Sequence, residues 1–404
     1  MKKIVLINCG DNGSTGKICM SLLKCANDNG FEAFFAAHFI DESNRNDHFL
    51  DIDNGRPDFT LNKILCRIDG SDGFRNKKAT VRLVKKLEQI KPDIIHLHNL
   101  HGHFINIEIL FSYIRKNNIK VVWTLHDCWS FTGRCPHFDF YGCEQWKTGC
   151  GKCKKQHLKD YPAAYLINRP NVYYEKKNKL FTGMQSLITF VTPSIWLMNL
   201  LKESMLKDFK CVCINNGIRI TDDNKVSDVF INSLNLDVKK TILFSAAYPF
   251  SDTKGINHVI NISKNLDYDK YEYIVAGLDF KQEKLIDTRT KSVGIVRNQD
   301  VIRSLYNVAD CFINPTLQDT FPTVNLESLS AGTPIITFNS GGSPEVVKEG
   351  CGVIVERDNF EELLAAINKT TKKQESTIAL CKEEAKKYTE EKMCKEYIKL
   401  YKTL

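Results

Sequence analysis

The sequence has 404 residues, 43% of them hydrophobic and 26% charged, with a formal net charge of +8. Such a length is too great for one comfortable core and implies two domains of about 200 residues each. The composition excludes a disordered or fibrous chain, and there is no apolar run of about 18 residues to span a membrane.

The chain opens on a short apolar run over 3–8 that stops at a Gly-containing turn. It reads as a first strand and is too short for the apolar region of a signal peptide, so a cytoplasmic protein is expected. Gly10-Asp11-Asn12-Gly13-Ser14-Thr15-Gly16-Lys17 then leads into a helix over 16–27. It is not a Walker A loop, because Asp11 stands where the first Gly belongs and Ile18 replaces Ser/Thr, and it is not a clean GxGxxG. Further strands are expected at 33–37, 94–98, 120–125, 189–191 and 211–214, with helices at 80–89 and 105–116. Segment 41–73 is polar, rich in Gly and Asp and poorly periodic, and is expected to leave the sheet. After a turn-rich stretch at 216–239, strand signals resume at 241–245, 273–276, 292–295, 311–314, 335–338 and 352–355. This alternation is the pattern of parallel sheets covered by helices. Met393, Tyr397, Leu400, Tyr401 and Leu404 share one face of a terminal helix. The expected organisation is therefore α/β. Rossmann-like domains lie at 1–215 and 240–388, with a hinge at 216–239 and a helix at 389–404 that packs back on the first domain. Two such domains facing across a cleft bind ligands beyond the carboxyl ends of their strands.

Fifteen cysteines are present, and in a cytoplasmic chain they are not a disulfide framework. Cys9, Cys211, Cys213, Cys311 and Cys351 fall singly on apolar stretches and act as small hydrophobes. A Cys-rich loop at 128–153 stands apart. Cys150-Gly151-Lys152-Cys153 is a CxxC, and Cys135 and Cys143 could complete a structural tetrahedral zinc site. Free thiols and a redox pair are the alternatives. Nine basic residues against two acidic ones follow between Lys147 and Leu180. Such a patch attracts phosphorylated lipid carriers, an anionic bilayer face or nucleic acid; a solvated lysine-rich surface is the plainer reading.

The most informative stretch is NPTLQDTFPTVNLESLSAGTPIITFNSGGSP at 314–344. It leaves a strand, loops to Thr320-Phe321-Pro322 and enters a helix, with Pro322 suited to the first helical position and Thr320 or Phe321 to the cap. A helix start offers N–H groups and a partial positive charge to a diphosphate. Asp319 and Glu327 flank it and suit a ligand with hydroxyls at both ends. In the first half, His96, His98, His101, His103 and His126 cluster. On the strand at 94–98, His96 and His98 share a face and His98 lies at the carboxyl end, whereas His96 and His103 are read as structural.

The D-x7-E spacing of Asp319 and Glu327, with Ala331-Gly332-Thr333-Pro334 and Gly341-Gly342-Ser343-Pro344-Glu345, resembles the E-x7-E signature of retaining glycosyltransferase family 4. QDTFPTVNLESL looks like the subgroup that builds bacterial surface polysaccharides, including the colanic-acid and O-antigen transferases, with Asp319 in place of the usual Glu. VTPSIWL at 191–197, INNGI at 214–218 and WTLHDCWSFTG at 123–133 extend the resemblance over most of the chain.

The resemblance implies a GT-B fold, with an acceptor domain at 1–215 and a nucleotide-sugar-binding domain at 240–388. It implies transfer, with retained anomeric configuration, from a UDP- or GDP-linked sugar to a polyprenyl-diphosphate-linked saccharide in O-antigen, lipopolysaccharide or capsule synthesis. The inner face of the plasma membrane would be reached through the patch at 147–180. By the same resemblance Asp319 contacts the donor sugar and Glu327 the ribose, and backbone around Thr320, Phe321 and Thr323 serves the sugar and phosphates. In SAAYPFSDTKGI at 245–256, Lys254 would neutralise the leaving diphosphate, while the family's Arg is replaced by a small residue near Ala246. Gly13 belongs to a first loop that lets backbone approach the ligands. His98 is the candidate nearest the reacting centre, with His126 second. The departing phosphate oxygen deprotonates the acceptor, so no cofactor is required for catalysis and any zinc is structural. A GT-B-fold nucleotide-sugar epimerase is one alternative. A zinc-stapled nucleic-acid-binding protein is another, but it leaves the carboxylate pair unexplained, and no nucleic-acid partner is expected.

Overall fold

The computed structural model describes residues 1–52, 56–151, 153, 162–220, 228–247 and 249–404. The chain divides into two compact units, one of Met1–Asn215 with Met393–Leu404 and one of Asn216–Lys392.

The first unit is built on seven parallel strands: β1 (Lys3–Ile7), β2 (Glu32–Ala37), β3 (Phe49–Asp51), β4 (Ile94–Leu97), β5 (Lys120–Thr124), β6 (Ile188–Thr192) and β7 (Lys210–Cys213). Their order is β3-β2-β1-β4-β5-β6-β7. The central strands are almost wholly apolar because helices cover both faces of the sheet. Alternate residues of β1 go to separate cores: Val5 and Ile7 join Trp123, Phe181 and Phe190, whereas Ile4 and Leu6 join Leu22, Phe35 and Tyr401. The C-terminal helix Glu390–Thr403 returns to complete the second core with Met393, Tyr397, Leu400 and Tyr401, the face its periodicity predicts. Two polar anchors fix it. The Tyr401 hydroxyl lies 2.6 Å from His96 Nδ1, and the Tyr397 hydroxyl 2.8 Å from Thr124 Oγ1.

Segment 41–73 returns to the sheet in part. Phe49–Asp51 is edge strand β3, with Leu50 opposite Ala36 of β2, and Arg56–Asp69 is a helix. A three-residue strand is too short to show alternation, and the helix exposes Leu61 and Ile64, so neither carries a clear pattern.

The second unit holds six parallel strands: β8 (Thr241–Ala246), β9 (Tyr271–Ala276), β10 (Lys291–Ser292), β11 (Cys311–Asn314), β12 (Ile335–Phe338) and β13 (Gly352–Val355). Their order is β10-β9-β8-β11-β12-β13. Strand β10 is two residues long, shorter than the run at 292–295 suggests. Phe244, Ile274, Tyr306, Phe312, Leu326 and Leu329 form its core. Residues 216–239, expected as a hinge, group with this unit and include the helix Asp228–Ser233.

Both sheets share the Rossmann-like order in which the winding reverses beside the first strand, between β1 and β4 and between β8 and β11. In open parallel sheets of this kind the ligand crevice opens at the carboxyl ends of those two strands. Each unit therefore has one place where a site is expected.

Candidate active site

In the second unit that place is occupied by the loops after β8 and β11. A short turn, Asp252–Lys254, ends at Gly255, whose φ is 75°. A Cβ on Gly255 would lie 2.0 Å from the Pro315 carbonyl oxygen, so only glycine permits this approach. Thr253 O accepts hydrogen bonds from Leu317 N at 2.9 Å and Thr316 Oγ1 at 3.3 Å. Lys254 is thereby held against the 315–319 loop, where its ammonium pairs with Asp319 Oδ2. Asp319 Oδ1 accepts from Phe321 N at 3.1 Å. From the other side, Gly342 N donates to Asp319 O at 3.0 Å, and a Cβ on Gly341 would fall 1.9 Å from the same oxygen. The glycine pair is thus a point of close backbone contact. Lys254, Asp319 and Phe321 meet at one spot.

The helix that follows is Thr323–Ser330, with Pro322 as its cap residue and not its first helical one. Its ψ of 117° is extended, while the ring-fixed φ of −68° suits either role. The helix start is anchored by a buried network invisible in the sequence. Asn325 Oδ1 accepts from Asn314 Nδ2 at 2.8 Å, and its Nδ2 donates to Ser343 Oγ at 3.0 Å and Ser343 O at 3.2 Å. Thr337 Oγ1 lies 2.8 Å from Ser343 Oγ and donates to Asn314 O at 2.8 Å. The one available signal is a polar residue on the inward face of an apolar helix. Glu327, half-buried on the same helix, stands by Tyr306, whose phenol is pushed well up by burial and then by this carboxylate. Thr320 and Phe321 are buried and Thr323 is partly exposed. Ser340 Oγ is buried and makes no hydrogen bond to the described residues. An unpaired buried hydroxyl costs about 1–3 kcal/mol and asks for a partner.

In the first unit, Gly13 (φ 73°) opens the helix Gly13–Asp28 beyond the end of β1. Gly16 lets the loop fold back, since a Cβ there would lie 2.2 Å from the Asp11 carbonyl carbon. Asp11 is buried; its Oδ2 accepts from Asp41 N at 2.8 Å and Asn44 Nδ2 at 2.9 Å, while Oδ1 has no partner among the described residues. His98 follows β4 immediately. Its N–H donates to Ile7 O at 2.9 Å and its carbonyl accepts from the Trp123 indole at 3.0 Å, which fixes the backbone. His98 Nδ1 lies 3.0 Å from His126 Nε2, with the rings stacked at 5.3 Å. Burial first, and then the neighbouring imidazoles, hold His98 well below the usual histidine range; burial takes His126 down to about 4. Both rings are neutral near pH 7 and share one hydrogen bond, and the buried His98 Nε2 has no partner among the described residues.

His96 is structural, bonded to Tyr401 and to Thr124 Oγ1 at 2.8 Å, and burial lowers its pKa to about 3. His103 sits at φ 62° with Nδ1 3.3 Å from Asp72 Oδ1. The sequence does not single out the His101–Asp127 pair, whose Nε2–Oδ2 distance is 2.6 Å. Burial opposes the charge on His101, but Asp127 outweighs it and raises the pKa. Burial likewise opposes the Asp127 charge, and His101 overrides it to about 2.

Residues 227–388, most of the second unit, match the family model for glycosyl transferases group 1. The second unit is thus of the group 1 glycosyltransferase type. The chain is 26% identical over 366 residues to a putative colanic acid biosynthesis glycosyl transferase, WcaC, of Escherichia coli K12, spanning 85% of the transferase and 84% of that relative. Among solved structures it is similar to the sucrose-phosphate synthase of Thermosynechococcus elongatus, with a TM-score of 0.69 at 15% identity over 100% of the transferase and 99% of that chain. Anabaena Alr3699/HepE, solved in complex with UDP-glucose, matches with a TM-score of 0.66 at 13% identity over 100% of both chains. These likenesses identify the fold as GT-B.

The loop after β5 holds the remaining candidates. Cys135, Cys143, Cys150 and Cys153 line one cavity of about 130 Å³. Of the basic stretch at 147–180, Lys152, Lys154, Lys155 and Lys159 lie outside the described residues. Lys177 is not surface charge at all. It is fully buried, donates to Trp129 O at 2.5 Å and Thr132 O at 3.0 Å, and sits 3.4 Å from the Trp129 ring centroid. Burial pulls its pKa down to about 7. Lys147 pairs with Glu144 and Glu203, and Lys176 with Glu108.

Proposed function

We propose that the transferase takes a UDP- or GDP-linked sugar and passes it, with retention of anomeric configuration, to a polyprenyl-diphosphate-linked saccharide in surface polysaccharide synthesis. The observation that carries this reading is the Lys254–Asp319 pair held at the start of the helix Thr323–Ser330, beside the β8/β11 reversal. A departing nucleoside diphosphate gains negative charge as the bond from the sugar C1 to the phosphate oxygen breaks. Lys254 and the helix N-terminus stabilise that charge, and fixed groups do so without reorganisation. The acceptor oxygen bonds to C1 on the same face, and its proton passes to the departing phosphate oxygen. Asp319 orients the Lys254 ammonium and accepts from a sugar hydroxyl, and Glu327 accepts from the ribose diol. In the first unit, His98 Nε2 is the group for a hydroxyl of the reacting sugar, and the loop at Gly13 brings backbone close to it.

The UDP-glucose bound by HepE and the colanic acid role in the name of the Escherichia coli relative support the donor and the pathway class. For a lipid-linked acceptor, the support is an apolar surface on the first unit. Tyr165, Leu166 and Ile167 are exposed, with Leu166 at 77%, and they hydrogen-bond along the end of a helix that also exposes Leu61 and Ile64. Among the described residues no helix is long and apolar enough to cross a membrane, so contact would be peripheral. Arg67 and Arg169 flank the apolar residues in sequence and suit an anionic lipid surface.

Thermal-shift screening against UDP- and GDP-sugars, followed by transfer of label from the stabilising donor to isoprenoid-diphosphate saccharides, tests this reading. One donor should stabilise the protein and give a labelled lipid product with the donor's anomeric configuration. An inverted product, or an epimerised donor formed with no acceptor present, would refute it.

A further inference from the structure

We propose that Cys135, Cys143, Cys150 and Cys153 bind a structural Zn²⁺ that closes the long loop after β5. The described part of this loop contains only three short turns, Trp129–Phe131, Asp139–Tyr141 and Gln145–Lys147. Even so it is packed like a core. Phe131, Phe138 and Trp146 are buried, and the rings of Phe138 and Trp146 stack at 4.6 Å. A described stretch whose only regular structure is three short turns needs another means of holding its shape, and here four thiols from separate points of the loop converge on one cavity.

That cavity, about 130 Å³, has Phe138 and Trp146 as its apolar wall and sulfur as its chief ligand atom. It has ample room for one ion with four sulfurs at about 2.3 Å. Cys135 and Cys153 hydrogen-bond to each other. Cys150 Sγ accepts the N–H of Gly133 at 3.1 Å, the kind of second contact that steadies a metal thiolate. Four thiolates around Zn²⁺ carry a net charge of −2, and two buried cations are at hand: Arg134 beside Cys135 and Cys153, and Lys177 toward Cys150 and Cys135. The soft, all-sulfur set selects zinc over the hard cations magnesium and calcium. Coordination releases the thiol protons to solvent and involves no change of oxidation state.

A second cluster, Cys66, Asp72 and His103, has its possible ligand atoms all within 4.8 Å of one another, tighter than the four loop sulfurs around their cavity. Its carboxylate is already committed. Asp72 Oδ2 accepts from Gly102 N at 3.0 Å and Oδ1 from His103 N at 2.9 Å, so Asp72 holds the left-handed turn at 102–103. Among the described residues the four loop sulfurs do not all lie within that distance of one another, so binding an ion requires them to draw together around it, but none of them is tied up in a turn as Asp72 is.

The test is elemental analysis of the full chain, purified without chelator and gel-filtered after incubation with excess zinc. One zinc per chain is expected, and exchange for Co²⁺ should give the charge-transfer and visible bands of a tetrahedral tetrathiolate. The double variant Cys143→Ser/Cys150→Ser should lose the metal, and Cys66→Ser should keep it. If the double variant does not fold, the cobalt spectrum of the unaltered chain decides. A chain that binds no zinc, a spectrum lacking thiolate bands, or loss of metal in Cys66→Ser alone would overturn the proposal. So would a Cys135–Cys153 disulfide found in peptides of the metal-free protein, which would make the pair a redox device. None of these readouts depends on the sugar donor.

Discussion

The two units use the same strand order to present opposite chemistries at the same topological position. Beside the β8/β11 reversal lies a charged pair, Lys254 and Asp319, fixed by close glycine contacts and next to a helix start. Beside the β1/β4 reversal lie two neutral imidazoles, the buried His98 and the partly exposed His126, with the His101–Asp127 pair close to His126. The fold decides where a ligand goes, and the residues placed there decide what kind. A charged pair close to a helix N-terminus suits a diphosphate. Neutral rings suit uncharged hydroxyls.

The sharpest way to break this contrast is to remove the cation. Lys254→Ala should lower kcat by roughly 10²- to 10³-fold, the usual loss when one preorganised charge-stabilising group is deleted. Steady-state kinetics would measure it, and an unchanged kcat would remove Lys254 from the diphosphate.

Acid should separate the units next. Histidines titrate near 6.5 in an unfolded chain, whereas His126 and His96 in the first unit do so at about 4 and about 3. Stability from their neutral forms is therefore present above pH 6.5 and lost as the pH falls toward 4. The loss is about 1.4 kcal/mol per pH unit for each ring. His101, whose pKa is raised, works in the opposite direction and offsets part of it. Hydrogen exchange at pH 5 should show the first unit opening before the second; simultaneous opening would contradict the asymmetry.

Asn325→Leu removes three hydrogen bonds and leaves Asn314 and Ser343 underpaired. A loss of about 2–3 kcal/mol in the second unit is expected from denaturant unfolding. Tyr401→Phe deprives His96 Nδ1 of its partner and should destabilise the first unit by about 1–2 kcal/mol, with kcat unaffected.

The second unit's candidate site was the more legible in sequence. Pro322, the glycine pair and the spacing of Asp319 and Glu327 lie within thirty-odd contiguous residues, and local turn chemistry gives each a reason. The parallel strands were legible because burial on both faces leaves continuous apolar runs. Strand β3 was not, since three residues carry no period. Nor was the Asn325 network, because its partners Asn314 and Ser343 lie 11 and 18 residues away in sequence and meet only through the fold. Lys177 shows the same limit from the other side. In a lysine-rich stretch nothing marks Lys177 as the side chain buried against the Trp129 indole. The His101–Asp127 pair likewise joins loops after different strands.

Hydrogen exchange with and without a nucleoside diphosphate decides whether the diphosphate docks on the second unit. Slowed exchange is expected in the second unit over 251–256, 317–325 and 340–345, abolished by Lys254→Ala and retained in His98→Ala. Protection confined to the Gly13 and His98 loops of the first unit, and insensitive to Lys254→Ala, would contradict docking there.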